Sequence, residues 1–152
     1  MGQCKSMDII NDKLYIGNIF NNYQNIAIWD IENQELFYVN IGNYNKTLKE
    51  TIGFCSTQDK VYHVSRSGII SDISNIDNIS DKEGDLVIEG DYIDVDSNNS
   101  HMYLLSTNKE NRSYFKIKEV DLKSMRLVDT MVLESKKELI PQVIYLEKKV
   151  NN

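Results

Sequence analysis

Asp94, Asp96 and Asn98, with Asp91 close by, form the densest oxygen cluster in the chain. Asp94-x-Asp96-x-Asn98 reproduces the first three ligand positions of a calcium loop, where alternate side chains turn oxygen toward one hard cation. Asn99 stands where such a loop needs its turning glycine, and Leu105 where a bidentate glutamate would close it. The same stretch also reads as a hairpin tip, Asp96 to Ser100, because Asn, Asp and Ser accept left-handed backbone and bond their own main chain. The spacing favours the hairpin, with Ca2+ as the alternative and no other cofactor indicated.

A second chemistry lies at the start. Met1-Gly2-Gln3-Cys4-Lys5-Ser6 matches the N-myristoylation pattern, with Gly2 as the amide acceptor and Cys4 placed for a thioester. Two acyl chains are what stable anchoring requires. His63 and His101 are the two imidazoles, and neither has a Cys, Asp or Glu partner at metal-ligand spacing. There is no G-x-S-x-G elbow, no Ser-Lys pair and no glycine-rich phosphate loop, so catalysis has no motif to rest on. Tyr23 and Tyr44 fall in or beside turns among polar residues, the setting of aromatic contact residues in recognition surfaces.

Charge narrows the partners. A net charge of −6 argues against nucleic acid, where clustered Lys and Arg must neutralise phosphates. Two cysteines, Cys4 and Cys55, without C-x-x-C spacing indicate a reducing compartment, and the default location is the cytoplasm. Acylation at Gly2 would move the protein to a membrane surface, and a leader outside this sequence would export it. No apolar run is long enough to cross a membrane as a helix.

The elements that must position these residues are strands. Short apolar runs, cut by Asn, Asp, Ser and Gly, replace helical periodicity almost everywhere. A helical turn is plausible at Lys46–Glu50 and Ser135–Leu139 alone. Strands are expected near Met7–Ile10, Leu14–Ile19, Asn25–Ile31 and Leu36–Ile41; then Thr51–Ser56, Val61–Ser65, Ile69–Ile73 and Leu86–Glu89; then Tyr92–Asp96, Met102–Ser106, Tyr114–Leu122 and Arg126–Glu134. A spare strand, Gln142–Glu147, follows within 139–148. One pattern recurs through them. Lys13-Leu14-Tyr15-Ile16, Lys60-Val61-Tyr62-His63 and His101-Met102-Tyr103-Leu104 each open a strand, and the strand after it ends in Asp30-Ile31, Asp72-Ile73 or Asp121-Leu122. The tyrosines are 47 and 41 residues apart, the period of a four-stranded repeat. Recurring in register, they are expected to pack between units.

Leu14-Tyr15-Ile16 followed by Ile26-Ala27-Ile28-Trp29-Asp30-Ile31 resembles a repeat of the YVTN-type or WD-like β-propellers at the level of strand pattern. Ser71 and Val120 replace the tryptophan in the later units, and the Gly-His pair of WD repeats is missing. The resemblance implies an all-β chain of about three four-stranded antiparallel propeller blades plus one extra C-terminal strand. Residues 1–152 would form a single domain with units at about 7–45, 46–90 and 91–136. Runs such as Ile26–Trp29 and Met131–Leu133 fit strands packed on both faces; a β-sandwich, the alternative, predicts cleaner alternation, as in Phe115–Val120.

Three blades do not close a ring, since propellers use four to eight. Such an arc leaves two apolar faces in water, so the chain is expected either to be part of a longer propeller or to close on itself as a homodimer, with the tail strand completing the partner's first blade. On this scaffold the expected function is non-catalytic protein or peptide binding by loops. Carbohydrate or cell-surface recognition and a partial hydrolase or lyase domain are the alternatives.

Overall fold

The computed structural model describes residues 6–21, 24–39, 50–75, 85–98, 100–107 and 114–134, with only the backbone of 18–21, 24 and 25. Gly2, Cys4, Tyr23, Tyr44, the Ser135–Leu139 turn and the Gln142–Glu147 strand lie outside these residues.

Twelve strands and no helix make up the described chain. They are β1 (Met7–Ile10), β2 (Lys13–Asn21), β3 (Gln24–Asp30), β4 (Glu35–Val39), β5 (Thr51–Ser56), β6 (Val61–Ser65), β7 (Ile69–Asp72), β8 (Leu86–Val87), β9 (Tyr92–Ser97), β10 (His101–Thr107), β11 (Tyr114–Asp121) and β12 (Arg126–Glu134). They form three four-stranded antiparallel meanders, each of four consecutive strands: sheet 1 is β1 to β4, sheet 2 is β5 to β8 and sheet 3 is β9 to β12. The expected strands are nearly all present, apart from a shorter β8. Sheet 1 has its own first strand, β1 paired to β2, so it is four-stranded without the C-terminal tail.

Turn chemistry fixes the register. Asn11 and Asp12 both have positive φ (49° and 58°), which joins β1 to β2 by a two-residue turn whose twist suits a hairpin. The recurring Asp has one job in all three sheets. Asp30 accepts the Asn33 amide (2.9 Å), Asp72 the Ser74 amide (3.0 Å) and Asp121 the Ser124 amide (2.6 Å). Each also meets the basic residue two before the tyrosine: Lys13–Asp30 at 3.2 Å, Lys60–Asp72 at 2.9 Å and His101–Asp121 at 3.7 Å. The Asn33 amide and then Lys13 hold the Asp30 carboxyl below its ordinary range, and Ser124 does the same for Asp121. At Asp72 burial pushes the carboxyl up, but Ser74 and Lys60 together bring it below that range.

The sheets stack by one rule. Call the side bearing Tyr15, Tyr62 or Tyr103 the tyrosine face, and the other the reverse face. Tyr15, Ile26 and Ile28 of sheet 1 pack on Phe54 and Val61 of the reverse face of sheet 2, with the Tyr15 and Phe54 rings 5.6 Å apart. Tyr62, Val64 and Ile70 of sheet 2 pack on Met102, Leu104 and Val120 of the reverse face of sheet 3. Fully burying a side chain of this size contributes about 1.5–3 kcal/mol. Two glycines admit the close approach: a Cβ at Gly17 would lie 2.6 Å from Thr51 Cβ, and one at Gly53 would collide with Val95 Cγ1.

Sheet 2 is thus interior and sheets 1 and 3 are terminal. All five residues of β6 are buried. The register of sheet 1 sets Ile9, Leu14, Trp29 and Leu36 in one row of its reverse face and Met7, Ile16, Ala27 and Tyr38 in the next. Both rows are wholly apolar, yet Met7 and Ile9 are 65% and 64% exposed. The expectation that Met131–Leu133 is buried on both sides does not hold. Met131, Val132 and Leu133 are all exposed, Met131 and Leu133 on one face and Val132 on the other, because β12 is the edge strand of sheet 3 and every one of its residues is exposed. Phe115, Ile117 and Glu119 do share one face, as their alternation predicts.

Candidate functional site

A cleft of about 320 Å³ opens at the seam between sheets 2 and 3, lined by Glu50, Thr51, Ile52, Arg66, Tyr92 and Ile93. Arg66 organises it from the turn after the tyrosine-bearing strand of sheet 2. That turn is held by Gly68, at φ 83°, whose amide donates to the Ser65 carbonyl (3.0 Å), and by the Ser65 hydroxyl, which accepts the Ile69 amide (3.0 Å). The Arg66 amide donates to the Glu50 carbonyl (2.7 Å), and its carbonyl accepts the Tyr92 amide (2.8 Å). Its backbone therefore ties the start of β5 to the start of β9.

The side chain repeats the link. Arg66 Nε donates to Asp91 Oδ1 at 2.7 Å and Nη1 to Glu50 Oε2 at 3.1 Å. One planar guanidinium is shared by two carboxylates, a geometry that fixes orientation as well as charge. Two carboxylates thus stand at the mouth of the cleft, and its floor is packed. Tyr92 is fully buried, its hydroxyl donates to the Glu89 carbonyl (3.3 Å), and burial pushes its phenol up to about 12. Lys118 Nζ sits 5.5 Å from the centre of the Tyr92 ring and donates to the same Glu89 carbonyl (3.0 Å). Such a cleft accepts one or two side chains, and its carboxylates favour a cationic group.

The residues singled out by sequence lie elsewhere. Asp94 and Asp96 stand on β9, opposite Leu105 and Tyr103, on the tyrosine face of sheet 3. Asn98 Oδ1 accepts the amides of Ser100 (2.9 Å) and His101 (2.8 Å), which is the self-capping hairpin. Among the described residues, no group of three or more His, Cys, Asp and Glu could hold a metal ion. His63 and His101 are apart. His63 is fully buried on the reverse face of sheet 2, with Nε2 3.0 Å from Thr51 Oγ1, and burial alone pushes its imidazole down to about 3. His101 stands near Glu119 and Asp121 on the tyrosine face of sheet 3.

Sequence reasoning noted Asp91 beside the calcium-like run, but not that Arg66 links it to Glu50. The available signal was an arginine directly after a tyrosine-bearing strand, in a loop whose length differs between units.

No protein-family model and no curated protein matches the chain. Its likeness is to solved structures, and it is one of fold. The computationally designed Ika4 protein superposes over 97% of this chain and 81% of its own, with a TM-score of 0.64 and 9% identity. Kuenenia stuttgartiensis hydrazine synthase superposes over 87% of this chain at a TM-score of 0.61 and 12% identity, and this chain spans 38% of that one. Among the described residues, no helix is long and apolar enough to cross a membrane.

Proposed function

We propose that the three sheets are consecutive blades of a β-propeller, and that the chain is a non-catalytic binding module for a protein or peptide. Three consecutive meanders of four strands, with β5 beside both β1 and β9, support the blade reading. The observation that carries the binding reading is the Arg66 cleft. It lies at the ends of two first strands, where blades of a propeller surround the central channel, and two carboxylates there hold one guanidinium in place. The ligand is a segment with a Lys or Arg side chain, the type that two carboxylates at the mouth of the cleft favour.

The test compares labelled peptides of equal length, one set basic and one acidic, against the chain and its Glu50→Gln/Asp91→Asn variant. Preferential binding of the basic set, weakened by salt and by about tenfold in the variant, is the expected result. Equal binding of both sets, or a variant that binds as well as the parent, overturns the reading. Binding on a glycan array without peptide binding would favour carbohydrate recognition instead. A partial hydrolase or lyase domain, whose active site draws on further blades, remains the reading from another class. The proposed location is the cytoplasm, which suits Cys55, a buried free thiol pushed up to about 12 by burial; acylation at Gly2 and Cys4 would hold the protein at a membrane surface.

A further inference from the structure

The two faces of sheet 2 differ in polarity. Thr51, His63, Ser65 and Ser71 are all buried on its reverse face, against sheet 1, whereas Cys55, Tyr62, Val64 and Ile70 fill its tyrosine face. His63 is the exception in its place: the residue after the tyrosine is Ile16 in sheet 1 and Leu104 in sheet 3. Part of this polar row is bonded within the chain. The Ser65 hydroxyl accepts the Ile69 amide (3.0 Å), and Thr51 Oγ1 lies 3.0 Å from His63 Nε2. Two buried atoms have no hydrogen-bond partner among the described residues, His63 Nδ1 and Ser71 Oγ. They belong to direct register partners, His63 on β6 and Ser71 on β7, so the two side chains leave the same face side by side. Both residues are 0% exposed, which keeps bulk solvent from either atom.

We infer that this place is a binding site for one internal water, which bridges His63 Nδ1 and Ser71 Oγ between sheets 1 and 2. Buried polar atoms are nearly always paired, and leaving one unpaired costs more than an ordinary hydrogen bond returns. Two such atoms side by side are satisfied together by one small molecule that both donates and accepts. Directly paired residues have Cβ atoms about 4.5–5.5 Å apart, a span that a water at about 2.8 Å from each polar atom covers. The roles close without conflict. A neutral imidazole has one N–H and one lone pair, so the Thr51 hydroxyl takes one at Nε2 and the water takes the other at Nδ1. The Ser71 hydroxyl then donates to the water or accepts from it. A charged guest is disfavoured, because Phe54, Val61, Ile26 and Ile28 line the same seam. The inference does not depend on what the Arg66 cleft binds.

The test has two parts. A crystal structure of the chain at a resolution that shows ordered water should place one water within hydrogen-bond distance of both atoms. Chemical denaturation then reads the sign of the Ser71 contribution. Ser71→Ala removes one partner of the water and should raise the unfolding constant about tenfold. In a His63→Leu background, which sets the residue type of Leu104 in its place, the same substitution should be neutral or stabilising, because the water has already lost its imidazole anchor. Crystals that show no water there, or a direct bond between His63 and Ser71, overturn the inference. So does a Ser71→Ala chain as stable as the parent or more so, since a dry hydroxyl without a partner is better removed. If His63→Leu does not fold, the crystal structure and Ser71→Ala alone decide between these outcomes.

Discussion

Sheets 1 and 2 are written in nearly the same pattern and end in opposite circumstances. Both carry a basic residue, an aliphatic, a tyrosine and a strand closed by Asp. In sheet 2 every residue of β6 is buried, while in sheet 1 the flanks of Tyr15 are half open and Met7 and Ile9 stand in solvent. The difference lies in neighbours, not in local sequence. Repeat sheets bury one another, so a terminal sheet keeps an interior composition with one face unused.

The largest contrast should come from matched truncations. Ile70→Ala, at a fully buried position facing sheet 3, should cost about 2–5 kcal/mol in chemical denaturation. Leu36→Ala, on the open face of sheet 1, should change the stability of the chain by less than about 0.5 kcal/mol. Equal costs would mean that sheet 1 is as enclosed as sheet 2.

A smaller effect tests the spacing of the sheets. Gly53→Ala sets a methyl into Val95 across the seam between sheets 2 and 3, and should cost about 1–3 kcal/mol with the melting temperature lowered accordingly. An unchanged melting temperature would show the seam to be looser than described. A further effect belongs to pH. Unfolded, His63 titrates near 6.5; folded, burial keeps it neutral down to about 3. Between those values the unfolded chain binds the extra proton. Stability from this group is therefore intact above pH 6.5 and falls with pH below it, by up to about 1.4 kcal/mol per unit. His63→Gln should flatten that slope in urea denaturation followed from pH 7 to 4, and a parallel slope would place His63 in contact with bulk water.

Much of the fold was legible in the sequence because it repeats. The tyrosines marked the second strand of each sheet, and the Asp that follows marked the end of the third, where its carboxylate caps the turn. What could not be read was which strand lies exposed at the edge of its sheet. Met131-Val132-Leu133 and Ile26-Ala27-Ile28 are equally apolar, but the first lies exposed on β12 and the second is buried in β3. The candidate site was legible only in pieces. Arg66, Glu50 and Asp91 come from three loops; the pairing of β5 with β6 sets Glu50 beside Arg66, but only the meeting of sheets 2 and 3 adds Asp91. Asp94, Asp96 and Asn98 drew notice by spacing, yet alternate spacing is that of one face of a strand: Asp94 and Asp96 lie along β9 and Asn98 caps the turn after it.

The stacking rule itself is tested most directly by oxidative footprinting of the methionines in the dilute chain. Met102 is fully buried between sheets 2 and 3, whereas Met7 on sheet 1 and Met131 on sheet 3 are 65% and 37% exposed. Met7 and Met131 should oxidise rapidly and Met102 only on unfolding. Oxidation of Met102 at the rate of Met7 would contradict the account, because sheet 2 would then have no cover on its tyrosine face.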